Sequence, residues 1–128
     1  MDAGRLGFAP DTVIQELGWD EDVDDELRKA IESHCGSELI DGDTSEPVDG
    51  VILWWRDGDG DLVDALLDSL HDLAEGGSVW LLTPKVGRPG YVPGADIVEA
   101  APIAGLSTTT TSAATPEWSA TKLSTHKR

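Results

Sequence analysis

Apolar residues run unbroken over 51–55 (VILWW) and again over 79–82 (VWLL), and between the two runs they recur at helical spacing. Leu62, Val63, Leu66, Leu67, Leu70 and Leu73 form one stripe, with Asp64, Asp68, His71 and Asp72 mostly off it. Asp61 suits an N-cap and Gly76-Gly77 a stop, which predicts a helix over 61–75. Strand, helix and strand within about 30 residues make a βαβ unit. Strands without polar interruption belong to a parallel sheet covered by helices on both faces. Open sheets of this kind bind ligands at the carboxyl ends of their strands, so the loops there are where chemistry is sought.

The pattern continues in both directions. Residues 12–17 (TVIQEL) predict a first strand, ended by Gly18. Val23, Leu27, Ala30 and Ile31 mark one face of the helix that follows. Acids from Asp22 to Glu26 load its first turn, where the macrodipole favours negative charge, and Gly36 suits its C-cap. Residues 37–40 predict a short second strand, and 41–49 a polar loop containing Pro47. Beyond residue 82, TPKVGRPGYVPG holds three glycines and three prolines in twelve residues, the mark of a structured loop. A third helix covers 95–106, with Pro102 kinking or ending it. Residues 107–114 and 118–125, rich in Thr and Ser around a turn at Pro116, predict a closing antiparallel hairpin. Residues 1–11 read as a flexible arm and 126–128 as a disordered tail. That leaves one α/β domain over 12–125, with a small Rossmann-like, mostly parallel sheet, flanking helices and a C-terminal antiparallel hairpin.

Charge changes this picture more than composition does. The 128 residues are one domain's worth, enough to bury a core. The net charge is −16, and 22 of the 25 acidic side chains fall in residues 1–75 against 4 of the 9 basic ones. An acidic half of this kind suits a basic protein partner, and Asp20, Glu21 and Asp22 are its candidate contacts. It argues against direct nucleic-acid binding, which needs clustered Lys and Arg. No apolar run approaches a membrane span, and the N-terminus lacks a basic segment followed by an apolar one. A single cysteine, Cys35, permits no internal disulfide and suits a reducing cytoplasm, the expected compartment.

Three loops share the carboxyl rim if the strands are parallel: 18–22, 56–61 and 83–91. They gather Trp19, Arg56, Asp57, Asp59, Lys85, Arg88 and Tyr91, the candidate ligand-binding set. Lys85 and Arg88 around Gly87 suit a small anion. Asp57, Asp59 and Asp61 alternate like calcium ligands, but Leu62 stands where the EF-hand pattern needs glycine, so no metal site is assigned. His34 and Cys35 are neighbours at a helix end and point apart, so they make no catalytic dyad; Cys35 reads as packing. A lone His71 is no zinc site. Trp54 and Trp55 must face opposite sides of their strand, and with Trp80 they read as core. Trp19 and Trp118 read as the more exposed tryptophans.

The stretches LGF, VIQELGWDEDVDDELRKAIE, VDGVILWWRDGDGDLVDALLDSL and WLLTPKVGRPGYV resemble the uncharacterised, mainly actinobacterial domain-of-unknown-function 3052 family. The resemblance runs from about Arg5 to about Thr125 and implies no activity. At the level of fold, the order of elements also resembles the C-terminal half of class I methyltransferases. Two departures stand against a working cofactor site: ELGWDED replaces a glycine-rich loop after the first strand, and the chain is short for such an enzyme. Asp41 occupies the place of a ribose-binding acid in that comparison.

No complete catalytic constellation emerges. The expected function is therefore a non-catalytic acidic interaction or regulatory module that also senses a small polar or anionic ligand at the rim. The alternative is a small or degenerate Rossmann-like enzyme holding a nucleotide-type cofactor there.

Overall fold

The computed structural model describes residues 11–41, 47–113 and 117–125. Strands β1 (Ile14–Leu17), β2 (Ile40–Asp41), β3 (Val48–Trp54) and β4 (Leu73–Pro84) pair in parallel. Strands β5 (Leu106–Ala113) and β6 (Trp118–Thr125) form the antiparallel hairpin, and β6 also pairs antiparallel with β4. The six strands lie in the order β2-β1-β3-β4-β6-β5. Val51 sits beside Val79 and Trp54 beside Leu82, so the two apolar runs are neighbouring parallel strands. Helix α2 (Leu62–Ser69) bridges them. Helices α1 (Asp25–Cys35) and α3 (Gly94–Ile103) complete the fold.

Alternation along the strands sorts the core into two layers. Ile14, Ile52, Trp54, Trp80, Leu82 and Trp118 face α1, which contributes Leu27, Ile31 and Cys35. Val51, Leu53, Val79, Leu81, Leu106 and Leu123 face α2 and α3, which contribute Leu66, Ile97, Ala100 and Ala101. Trp54 and Trp55 do part to opposite sides, Trp54 fully buried and Trp55 half-buried. Caps fix both helix starts: the Asp24 carboxylate accepts from Leu27 N–H at 3.1 Å and Asp61 accepts from Val63 N–H at 2.9 Å. Gly36 closes α1 with φ of 81° and donates its N–H to the Glu32 carbonyl at 2.9 Å.

Several expectations need correction. Helix α2 ends at Ser69, well before residue 75, because Asp72 is drawn to the sheet. Its carbonyl accepts from Val48 N–H at 2.8 Å and its carboxylate from Gln15 Nε2 at 3.0 Å. Leu73 therefore begins β4, and Gly76-Gly77 lie inside that strand rather than stopping a helix. The pairing shifts there, Val48 beside Leu73 and Gly50 beside Ser78, and a Cβ on Gly77 would press against the Asp49 carbonyl. Leu67, placed on the apolar stripe, is exposed. Strand β3 starts at Val48, inside the expected loop. Helix α3 closes at Ile103 with Pro102 in its last turn, and Leu106 belongs to β5. Trp118 is 1% exposed, not a surface residue. Except for Asp11, whose N–H donates to the Cys35 carbonyl at 2.9 Å, the expected arm lies outside the described residues. So do the tail and the Pro116 turn. Among the described residues no helix is long and apolar enough to cross a membrane.

Leu66 and its neighbour Leu67 give a direct test of the α2 layer. Leu66 is fully buried and Leu67 about half exposed. Leu66→Ala should cost about 2–5 kcal/mol by denaturant unfolding. Leu66→Asp should not fold, and Leu67→Asp should stay within about 0.5 kcal/mol of the parent.

Candidate functional site

From β1 the chain passes to β2 on one side, then returns as β3 on the other side of β1. Helices α1 and α2 leave these strands on opposite faces, so the topological switch point lies between β1 and β3. The place where an open α/β sheet has room for a ligand is thus framed by Gly18 after β1 and by Trp55 and Arg56 after β3.

In this chain Arg56 closes one side of that place, and a hollow lined by Leu17, Gly18, Trp19, Trp54 and Trp55 stays open beside it. Its Nη1 donates to the Gly18 carbonyl at 2.7 Å and, at 3.4 Å, to the Trp54 carbonyl. Nε and Nη2 grip the Asp22 carboxylate at 3.0 and 2.5 Å. The guanidinium carbon lies 5.3 Å from the Trp118 ring centroid, a cation–π distance. The Arg56 side chain is 13% exposed. Burial works against its charge, but the bonds to Asp22, with Asp59 and Asp20 nearby, outweigh it and raise its pKa. Asp22 in turn is held below the usual carboxylate range, chiefly by the Arg56 hydrogen bonds. Gly18 makes the approach feasible: its φ is 76°, and a Cβ there would overlap the Trp54 carbonyl oxygen.

A second ion pair closes the α1 side. Glu16, buried in β1, receives Arg28 Nε at 2.6 Å and Nη2 at 2.8 Å, and Trp54 Nε1 at 2.9 Å. These bonds to Glu16, aided by Asp25, raise the Arg28 pKa against the effect of burial. Trp54 packs edge-on against Trp118, centroids 4.9 Å apart, which links the two ion pairs through a pair of indoles. Glu16 and Arg28 were not anticipated as partners. The available signal was a carboxylate inside the apolar pattern of TVIQEL, which burial obliges to find a cation.

The expected ligand set does not converge on one hollow. Trp19, Arg56 and Asp59 line a hollow of about 420 Å³ together with Asp20 and Asp68. Asp57 lines another, of about 480 Å³, with Asp61, Asp96 and Glu99. Lys85 and Tyr91 line a third, of about 590 Å³, on the hairpin side of β4. Arg88 is turned toward Glu117, donating to its carbonyl at 3.2 Å and pairing with its carboxylate at 3.4 Å. Asp59 accepts from Arg56 N–H at 3.0 Å and Asp61 caps α2, so the alternating acids serve the turn. Of the expected partner contacts, Asp20 and Glu21 are exposed, whereas Asp22 is committed to Arg56. Trp19 is 52% exposed beside them. Cys35 is buried at the end of α1 and accepts from Thr12 Oγ1 at 3.3 Å.

Comparison with known proteins gives kinship and fold. A family model described as protein of unknown function (DUF3052) matches residues 3–127. Uncharacterised proteins of Mycobacterium tuberculosis and Mycobacterium bovis are 57% identical over 121 residues, covering 94% of this chain and 76% of theirs. A SAM-dependent methyltransferase from Aquifex aeolicus superposes with a TM-score of 0.66 at 10% identity, covering 97% of this chain and 87% of that one. Magnesium protoporphyrin IX methyltransferase from Synechocystis PCC 6803, solved with bound SAM, gives 0.58 at 11% identity over 96% and 74%. The pyocyanin biosynthetic protein PhzM gives 0.62 at 14% identity over 95% of this chain, which spans about half of that protein's length (52%). At these identities the likeness is one of fold, the Rossmann-like fold of methyltransferases.

The Arg56 clamp predicts a cluster of stability effects. Gly18→Ala should cost at least about 1–3 kcal/mol through the disallowed backbone alone. Arg56→Met should cost about 1–3 kcal/mol by leaving two carbonyls and Asp22 without their donor. Because the Asp22 pKa is lowered on folding, its contribution is full above the unfolded value of about 3.9 and is lost as pH falls through the lower folded value. Denaturant unfolding against pH should show Asp22→Asn less stable than the parent at neutrality and equal to it in strong acid.

Proposed function

The chain belongs to the protein family of unknown function DUF3052, and from that kinship, which carries no activity, we propose a non-catalytic interaction or regulatory domain on a methyltransferase-type sheet. One observation carries the reading: the two strand ends at the switch point are bridged by the chain's own Arg56, bound to the Gly18 and Trp54 carbonyls and to Asp22. An anionic group of a cofactor would need backbone N–H groups there. Here the Gly18 and Trp54 carbonyls bind a guanidinium at that point. The remaining surface of this corner is acidic, with Asp20 and Glu21 exposed beside Trp19. A basic protein segment, with an aromatic or aliphatic anchor for Trp19, is the partner this chemistry suits. A small anionic ligand bound elsewhere on the rim would tune that association.

The fold likeness favours one other reading, an enzyme that opens the crevice to admit a nucleotide-type cofactor. Calorimetric titration with S-adenosylmethionine and S-adenosylhomocysteine separates the two. The proposed function expects no heat of binding to the parent chain. Saturable micromolar binding, lost when residues at the β1–β3 rim are changed, would install the enzyme reading instead.

The docking part has its own test. Complexes recovered from lysate of the source organism should weaken steeply as salt rises. Asp20→Lys with Glu21→Lys should remove them while leaving thermal stability unchanged; Asp22 is kept because it holds Arg56. Recovery indifferent to salt and to both reversals would refute an acidic docking surface.

A further inference from the structure

We propose that the cavity on the hairpin side of β4 is a binding site for a small ring-bearing monocarboxylate. This refines the ligand-sensing part of the proposed function, and direct binding measurements test it whether or not a protein partner exists. The cavity, of about 590 Å³, lies between the loop after β4, the start of α3 and the strands β4, β6 and β5. Its volume is that of a small-molecule pocket. It opens on the α2–α3 side of the sheet, opposite the Glu16–Arg28 pair.

The sheet surface changes character where the cavity begins. Leu81, Leu123 and Leu106 are buried aliphatics on this face. Two residues further along the same strands, on the same face, stand Thr83, Thr121 and Thr108. Were this an ordinary wetted surface, the threonines would be exposed. Thr108 is exposed, but Thr83 and Thr121 are only 3% and 4% exposed, and among the described residues neither hydroxyl has a hydrogen-bond partner. Neither hydroxyl oxygen is sealed inside the core, so what surface it keeps faces the cavity, where a ligand's oxygen atoms would supply the missing partner.

Electrostatics selects the ligand's charge. Each of the two other hollows described above carries at least one carboxylate, Asp20 in one and Asp57 in the other. This cavity, in a chain of 25 acids, is lined by none among the described residues and has Lys85 at its edge. The Lys85 main-chain N–H is tied to the Glu117 carbonyl at 3.0 Å, which seats the residue, while its ammonium makes no ion pair among the described residues. One cation suits a single negative charge. Arg88, which a phosphate or dianion would also require, is held by Glu117. Tyr91, partly exposed, with Val92, Ile97 and Val98, supplies a flat and otherwise apolar wall, which favours a ring over a sugar or a polar chain.

The test uses the whole chain and indole-3-acetate and benzoate as probes, followed by amide chemical shifts. Saturable shifts at Thr83, Val92, Ile97 and Thr121 are expected with at least one carboxylate at millimolar concentration. Indole-3-acetamide, which keeps the ring and lacks the charge, should bind about tenfold more weakly, and Lys85→Gln should cost about the same. Thr83→Val should act in opposite directions: weaker binding, with thermal stability kept or raised, because it removes a hydroxyl that makes no hydrogen bond within the fold. The proposal is overturned if neither carboxylate gives saturable shifts at these residues. Equal binding of acid and amide, or binding of inorganic phosphate in preference to both carboxylates, overturns it as well. So does a loss of stability in Thr83→Val, which would show the hydroxyl already satisfied within the fold.

Discussion

The Arg56 guanidinium has five N–H groups, and four of them are bound inside the chain, to the Gly18 and Trp54 carbonyls and to both oxygens of Asp22. Those contacts join the end of β1, the end of β3 and the approach to α1 at one point. The guanidinium face lies on Trp118, which brings in β6. Gly90 lets the loop after β4 close over the Arg56 stem, and a Cβ there would crowd the Arg56 Cβ. A rim that most open α/β sheets leave free to bind something is here bridged by a charged side chain, with a hollow beside it. Its charge is stable because its partner is only half buried and the carbonyls complete the shell, so the desolvation cost of a fully buried pair is avoided.

Under the proposed non-catalytic reading, that corner is what separates a methyltransferase-type fold from the chemistry of one. Fold is set by the βαβ unit, the covering helices and the inserted β6, none of which depends on a cofactor. Function on such a sheet resides in the loops, and in this chain the loops bind each other. Asp57 N–H donates to the Gly90 carbonyl at 2.9 Å, and Asp59 and Asp61 hold the turn and the α2 cap. The same two ion pairs flank the indole pair, so the α1 face is both the most aromatic and the most polar-locked part of the core.

The parallel pair β3–β4 was legible because unbroken apolar runs have few other homes than a sheet covered on both faces. The hairpin was legible from β-branched residues around a turn signal. Helix α2 was overextended because periodicity sees the stripe but not the pull of Gln15 and Val48 on Asp72. Gly76-Gly77 looked like a stop for the same reason that it tolerates a pairing shift: both need residues without side chains. Trp118 was misplaced because its burial comes from Trp54 and Arg56, distant in sequence. The rim loops were located correctly as loops, yet which cation met which acid was not readable. Arg56 reaches back 34 residues to Asp22 and Arg28 only 12 to Glu16. The threonines of the hairpin-side cavity were read as good strand residues, which they are. Their lack of partners is a three-dimensional property.

The break in charge at residue 75 now has a spatial meaning. Strands β2, β1 and β3, with α1 and α2, come from the acidic part of the chain and occupy one half of the sheet. The bulk of β4, all of α3, and strands β6 and β5 come from the part with 3 acids and 5 bases, and occupy the other. Because the sheet order keeps these two parts side by side, a sequence asymmetry becomes a potential that falls across the molecule. The proposed basic partner would be drawn to the β1–β3 half and not to the other. The proposed anion would be turned away from the acidic hollows and meet its weakest repulsion beside Lys85. The same division would separate the proposed docking surface from the proposed ligand cavity, and β4, which carries Thr83, is the strand where the two halves of the sheet meet.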